Sequence, residues 1–300
     1  MDLITIGHSV IDRIIYPDGR EKVLPGGSAP AVATSAVQLG LETGLVSAVG
    51  PDFPKNWITD LEYYGIDTSG LTEIEGESTR IDYYYNDKGD ATSIELEEGV
   101  SEQLSPSLVP DSYNGAFFAH ICPMPPPLQS KFIIAMDGNA SLVSLDFNQT
   151  YAKIYEKKGI KGFPGLGSVD LAFPNEFEAR ALVGKNDLEA CAEAFHAQGV
   201  GCVVITIGTG GCIIFDGVNI HTIPSLDLPI TDPTGCGDAF IGGFLARYAS
   251  NADPLSSAFA GTALASFAVE SPGSWCPRVD PGDVEQREVQ IKELFEKSNE

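Results

Sequence analysis

Asp232-Pro233-Thr234-Gly235-Cys236-Gly237-Asp238-Ala239-Phe240 is the stretch on which the reading of this chain turns. Two glycines flank one small residue and an acid follows. Over 240–249 apolar side chains then recur at Ile241, Phe244, Leu245 and Tyr248, the spacing of an amphipathic helix. The pattern predicts a helix entered through a glycine turn. The first N–H groups of such a helix have no intrahelical acceptor and its dipole is positive at that end, so the turn can hold an anion such as a phosphoryl group in transit. Gly235 and Gly237 let the backbone approach that anion without Cβ interference. Asp238 falls in the first helical turn, placed to take a proton from a hydroxyl that attacks phosphorus. A glycine turn whose acid only caps the helix fits the bare G-x-G-D pattern equally well.

The longer string resembles the second signature of the ribokinase-like (PfkB) carbohydrate kinase family. That resemblance implies that the amides of Gly235, Cys236 and Gly237 form an anion hole and that Asp238 is the catalytic base. Cys236 stands where the family usually has Ala, a change that leaves the backbone role intact.

A second segment agrees. Pro25-Gly26-Gly27-Ser28-Ala29-Pro30-Ala31-Val32-Ala33 leads into a helix of small residues, closed by Gly40. Taken alone, Gly26-Gly27 is a tight turn or a place where something packs on backbone. The resemblance makes it the family's first signature, on which a hydroxyl-rich substrate sits, and it makes Asp12 an acceptor of hydrogen bonds from substrate hydroxyls. Where the family usually has Asn, this chain has Ala31. That weakens ribose and leaves nucleosides, ketoses, keto-deoxy sugar acids and inositol open.

Pro17-Asp18-Gly19-Arg20 between strand-like runs signals a hairpin, as does Asn86-Asp87-Lys88-Gly89 after the alternating run from Thr79. Two hairpins, about 9–24 and 79–97, are expected to pair into a small sheet outside the main body. In the family such a sheet is a lid that keeps water from the transferring phosphate. Arg80, Asp82 and Tyr84 share one strand face, expected to lie over the ligand, with Arg80 holding substrate.

Later in the chain, 122–127 carries four prolines and is expected to be a loop at a strand's carboxyl end. Asp146 and Asn148 end the next strand, either touching substrate or capping the adjoining helix. Asn175 and Glu178 have capping-box spacing. In the family an Asn-x-x-Glu in this context organises water-bound Mg²⁺, and a hard cation that keeps its waters needs few protein ligands. Thr206, Gly208 and Gly211 form either a glycine hairpin or, by resemblance, the nucleotide loop, with Gly273 beside the nucleotide.

Strands and helices alternate through most of the chain, which argues an α/β sheet covered on both faces. With the resemblance, the expectation is a ribokinase-like three-layer α/β/α sandwich, a single kinase domain over 1–300 with a small β-sheet lid. Neither a P-loop nor a strand-following G-x-G-x-x-G is present. The formal charge of −24, from 42 acids and 18 bases, disfavours nucleic acid and anionic membranes as partners. No run reaches the ~18 apolar residues that span a bilayer. The opening residues have no basic region before the first strand, so a cytoplasmic location is expected. Six cysteines without C-x-x-C spacing suggest neither zinc nor a disulfide framework.

The function expected is transfer of the γ-phosphoryl group of ATP, with Mg²⁺, to a hydroxyl of a small polyhydroxylated acceptor. A monovalent cation such as K⁺ is a further candidate, and a homodimer through the lid is open. The acceptor is expected to be neutral, because only Arg80, Arg13 and Lys88 lie near candidate positions. The rival is a catalytically silent sugar- or nucleotide-binding regulatory protein of the same fold; a retained base at Asp238 speaks against it.

Overall fold

The computed structural model describes residues 1–86 and 91–298. The chain begins β1 (Leu3–Ile6), β2 (Val10–Ile15), β3 (Glu21–Gly26), α1 (Ser28–Ala36), β4 (Thr43–Val49), α2 (Lys55–Tyr64), β5 (Asp67–Glu73), β6 (Arg80–Tyr85), β7 (Ala91–Glu97). It continues β8 (Ala116–Ile121), α3 (Pro126–Met136), β9 (Ala140–Asp146), α4 (Ala152–Lys158), β10 (Leu171–Phe173), α5 (Glu176–Val183), α6 (Leu188–His196), β11 (Cys202–Thr206), β12 (Cys212–Phe215), β13 (Ile220–Ile223). Three helices close it: α7 (Cys236–Asn251), α8 (Pro254–Ala268) and α9 (Pro281–Ser298).

The main sheet runs β13-β12-β11-β10-β9-β8-β1-β4-β5. Its strands are parallel from β11 to β5, and β12 and β13 are antiparallel. Alternation along each strand divides the core in two. Ile4, Ile6, Val203 and Ile205 pack under α3 to α6 with Phe132, Tyr155, Leu182 and Phe195. Leu3, Cys202 and Val204 face the other way, onto α1, α7, α8 and α9, with Val32, Phe244, Leu264 and Ile291. The expected three layers arise from this two-sided burial.

From β1 the chain winds through α1 to β4 and β5 on one side; β8 to β11 extend the sheet on the other. The reversal leaves a crevice at the carboxyl ends of β1 and β8, the place where such sheets bind ligands. Gly7, just past β1, is needed there: a methyl group on it would stand 2.6 Å from Cβ of Cys122.

A second sheet of four strands, in the order β3-β2-β6-β7, stands apart from the first. Its two hairpins are the expected ones. The first turns at Gly19 (φ 82), with the N–H of Tyr16 donating to Arg20 O. In the second turn, 87–90 lie outside the described residues. The hairpins join through β2 and β6, which are parallel.

One local expectation is corrected. The proline-rich segment 122–127 is a loop only in its first part, because α3 starts at Pro126. Proline is at home in a first helical turn, where its missing N–H is not needed.

No helix among the described residues is long and apolar enough to cross a membrane.

Candidate active site

α7 begins as its sequence requires. Its N-cap, Gly235, has φ 77, a left-handed conformation closed to most side chains, and a methyl group there would stand 2.7 Å from Cα of Ser274. The N–H of Cys236 is turned back onto Pro233 O at 3.3 Å. The amides of Gly235, Gly237 and Asp238 donate to no backbone acceptor among the described residues, and nothing lies within 4 Å of a methyl group built on Gly237. Of the three amides expected to face an anion, those of Gly235 and Gly237 are left without a backbone acceptor, as is that of Asp238, whereas the Cys236 amide has one in Pro233 O.

The turn is braced by Asp232. Burial alone would raise its carboxyl, but the N–H of Gly273 (3.0 Å), that of Thr234 (2.9 Å), the Thr234 hydroxyl and the charge of Lys22 hold it below the ordinary carboxylate range. Gly273, expected beside the nucleotide, is thus tied to the anion turn. Ser274 continues the link, its hydroxyl donating to Pro25 O at 3.2 Å, next to Gly26.

Asp238 sits at the meeting point of these segments. Desolvation pushes its carboxyl up to about 7, opposed by a hydrogen bond from Ser28 at the start of α1. Sequence reasoning misses Ser28, which looks like an ordinary helix-opening serine. Asp12, 8% exposed on β2, is also raised to about 7, first by burial and then by the charges of Asp232 and Asp238. Its Oδ1 has no hydrogen-bond partner. Gly26 packs directly on it, and Gly27 (φ 96) lies against the His8 carbonyl.

Asp146, at the end of β9, feels the charge of Asp238. It is held well above the ordinary range by burial and then by Glu178 and Asp238. Gln129 fixes the position, its amide donating to the carbonyls of Cys122 (2.9 Å) and Asp146 (2.7 Å) and so tying the ends of β8 and β9 together. Asn148 caps the next turn, accepting from Thr150 N at 2.8 Å.

Asn175 and Glu178 form a complete capping box on α5. Asn175 Oδ1 accepts from Phe177 N (2.9 Å) and Glu178 N (3.0 Å), and Glu178 Oε2 accepts from Asn175 N (2.8 Å). The Glu178 carboxyl is buried and raised to about 7, chiefly by desolvation. Burial is the first cause of the rise at Asp146, Glu178 and Asp238, and among the described residues none of the resolved causes is a Lys or Arg. Among the described residues no three acidic, His or Cys side chains form a closed cage, which suits an ion that keeps its waters.

Thr206 meets Asn175 in an isolated bridge and donates its N–H to Pro174 O at 3.1 Å. Beyond it, 208–211 turns β11 into β12, with Gly208 at φ 55 and Gly211 at φ 86. The expected nucleotide loop is a hairpin as well, seated at the same carboxyl edge as the capping box.

Arg80 is placed differently from expectation. Parallel pairing sets Ile11 opposite Arg80 and Asp12 opposite Ile81, so Arg80, Asp82 and Tyr84 lie on the sheet face away from Asp12. Arg80 is 3.7 Å from both Asp52 and Glu97, and Arg13 pairs with Asp82. The face that carries Asp12 presents Ile14, Leu24, Ile81 and Tyr83.

The pfkB family carbohydrate kinase model matches residues 1–277. The chain belongs to the pfkB carbohydrate kinase family. A cytidine kinase of Thermococcus kodakarensis is 39% identical over 85% of this chain and 91% of its own. A nucleoside kinase of Methanothermobacter thermautotrophicus is 29% identical over 95% of each chain. A solved E. coli chain in complex with ATP and Mg²⁺ superposes with TM-score 0.82, at 21% identity over 96% of this chain and 99% of that one. This pfkB kinase transfers the γ-phosphoryl group of ATP to a hydroxyl of a small polyhydroxylated acceptor, and the fold is the ribokinase-like one expected.

Proposed function

We propose that the acceptor is a nucleoside, phosphorylated on a ribose hydroxyl, and that Asp238 is the base. The observation that carries the acceptor class is the make-up of the Asp12 face. It offers one carboxyl with a free oxygen for sugar hydroxyls and, beside it, the apolar Ile14, Leu24 and Ile81 as cover for a flat base. The cytidine and nucleoside kinase relatives support the same class. Arg80, turned away and paired, has no part in holding the acceptor in this reading.

Asp12 accepts hydrogen bonds from the sugar, which packs on the bare backbone of Gly26 and Gly27. As the hydroxyl attacks, its proton passes to Asp238. Charge on the moving phosphoryl group is met by the amides of Gly235, Gly237 and Asp238, fixed in place before reaction. Bound Mg²⁺ supplies charge neutralisation at the nucleotide phosphates. Asn175, Glu178 and Asp146 would hold it, and Thr206, Gly208, Gly211 and Gly273 would line the nucleotide. The small sheet is the lid of a single kinase domain. A monovalent cation such as K⁺ would be held at Asp232, whose carboxyl lies below the ordinary range. Ile94 and Leu96, exposed on the outer strand of the lid, suit a homodimer. Six free cysteines and the use of ATP agree with the cytoplasm.

The test is ADP release with cytidine, uridine, adenosine and inosine set against ribose, fructose and myo-inositol. The expected result is a kcat/KM for at least one nucleoside on the order of 100-fold above every free sugar or polyol, a ratio that buried polar recognition can supply. A free sugar as best acceptor overturns the nucleoside reading.

A further inference from the structure

We infer that Lys22 is a phosphate-contacting residue of the transfer step, reaching from the small sheet to the nucleotide phosphates at the 235–237 turn. The inference deepens the reading above and rests on its placement of the phosphoryl group at that turn.

Strand register provides the first argument. β2 pairs antiparallel with β3, with Ile14 opposite Lys22, Asp12 opposite Leu24 and Val10 opposite Gly26. Lys22 therefore shares the Asp12 face, the one turned to the cleft. It is exposed on an edge strand and has no ion-pair partner among the described residues.

The charges around the cleft provide the second. Asp12, Asp146, Glu178, Asp232 and Asp238 converge there, and among the described residues Lys22 is the cation whose charge is felt by one of them, Asp232. The other described cations of the small sheet are engaged: Arg13 with Asp82 and Glu21, Arg80 with Asp52 and Glu97, and Arg20 with Asp18. The phosphate tail of ATP carries more negative charge than one Mg²⁺ offsets, and here it enters a field of carboxylates. A lysine ammonium on a flexible four-carbon stem is a point charge that can follow a phosphate oxygen as charge shifts during transfer. Lys22 escapes sequence reading because an exposed hairpin lysine looks like any solvated residue.

The experiment compares Lys22→Met and Lys22→Arg with the parent chain. One arm measures turnover on whichever acceptor the panel finds best, so a failure of the nucleoside reading leaves the test intact. The other arm needs no acceptor and uses calorimetry of ADP and of a non-hydrolysable ATP analogue, each with Mg²⁺. Lys22→Met is expected to lose kcat on the order of 100-fold, the lower end of the range for a lost transition-state donor. It should weaken the ATP analogue more than ADP and leave acceptor KM within about twofold. Lys22→Arg, which keeps the charge, should recover most of the loss. Lys22→Met with kcat and analogue affinity within about twofold of the parent overturns the inference, as does a loss confined to acceptor KM.

Discussion

Gly26 and Asp12 are packed so closely that a methyl group on the glycine would stand 2.5 Å from the carboxyl carbon of the aspartate. The obstruction is the end of a short side chain, so the backbone need not move; the carboxyl must swing aside. Gly26→Ala is therefore expected to fold, with a stability loss of about 1 kcal/mol. Its acceptor KM should rise at least tenfold, about 1.4 kcal/mol of lost binding. Steady-state kinetics beside a thermal melt checks both. A normal KM would show that Asp12 does not hold the acceptor.

Asp238→Asn removes the proposed base and leaves the amides of Gly235 and Gly237 in place. A positioned base contributes on the order of 10²- to 10⁴-fold, so kcat should fall by that factor while ATP-analogue affinity stays near the parent value. Retention of most turnover would remove Asp238 from the chemistry.

The pH dependence has a definite sign. Asp238 must be ionised to accept a proton, and desolvation holds it at about 7, so kcat/KM should rise with pH and level off above that value. The hydrogen bond from Ser28 opposes desolvation, so Ser28→Ala should move the inflection to higher pH. An unmoved inflection would show that Ser28 does not tune the base. Stability runs the other way. Asp12, Glu178 and Asp238 sit near 7 in the fold and near 4 when unfolded. Between those values the folded chain keeps protons that the unfolded chain has lost. Stability present at about pH 4 is therefore lost as pH rises through 7, and Tm of the ligand-free chain should be lower at pH 8 than at pH 5.

Much of the candidate site is legible in the sequence, and the parts that are not share a cause. The 232–240 string specifies its own local geometry, because a left-handed residue before an amphipathic helix calls for glycine at 235. The sandwich comes from runs such as 202–206, apolar on both faces. Ser28 and Asp238, in contrast, are 210 positions apart and nothing local announces their contact. Asp146 reads as a strand-ending acid until Glu178 and Asp238 are folded against it. Alternation puts Arg80 on one strand face with Asp82 and Tyr84. Which way that face points, however, depends on the register of β6 against β2, a long-range pairing that alternation does not encode.

Glu178 tests the cation site without ambiguity, because its two roles separate under one substitution. As the capping-box acid it needs an oxygen to accept from Asn175 N at 2.8 Å, and a glutamine amide oxygen can do that. As an outer support for Mg²⁺ it needs negative charge, which glutamine lacks. Removing a buried charge that is costly beside Asp146 should leave Tm equal or slightly higher at pH 8. The Mg²⁺ concentration for half-maximal activity should rise on the order of 10- to 100-fold, the usual effect of a lost outer-shell partner. Glu178→Ala breaks the cap as well and should cost about 1 kcal/mol of stability besides. If Glu178→Gln leaves the Mg²⁺ requirement where it was, the residue is a helix cap and the cation is held by other groups.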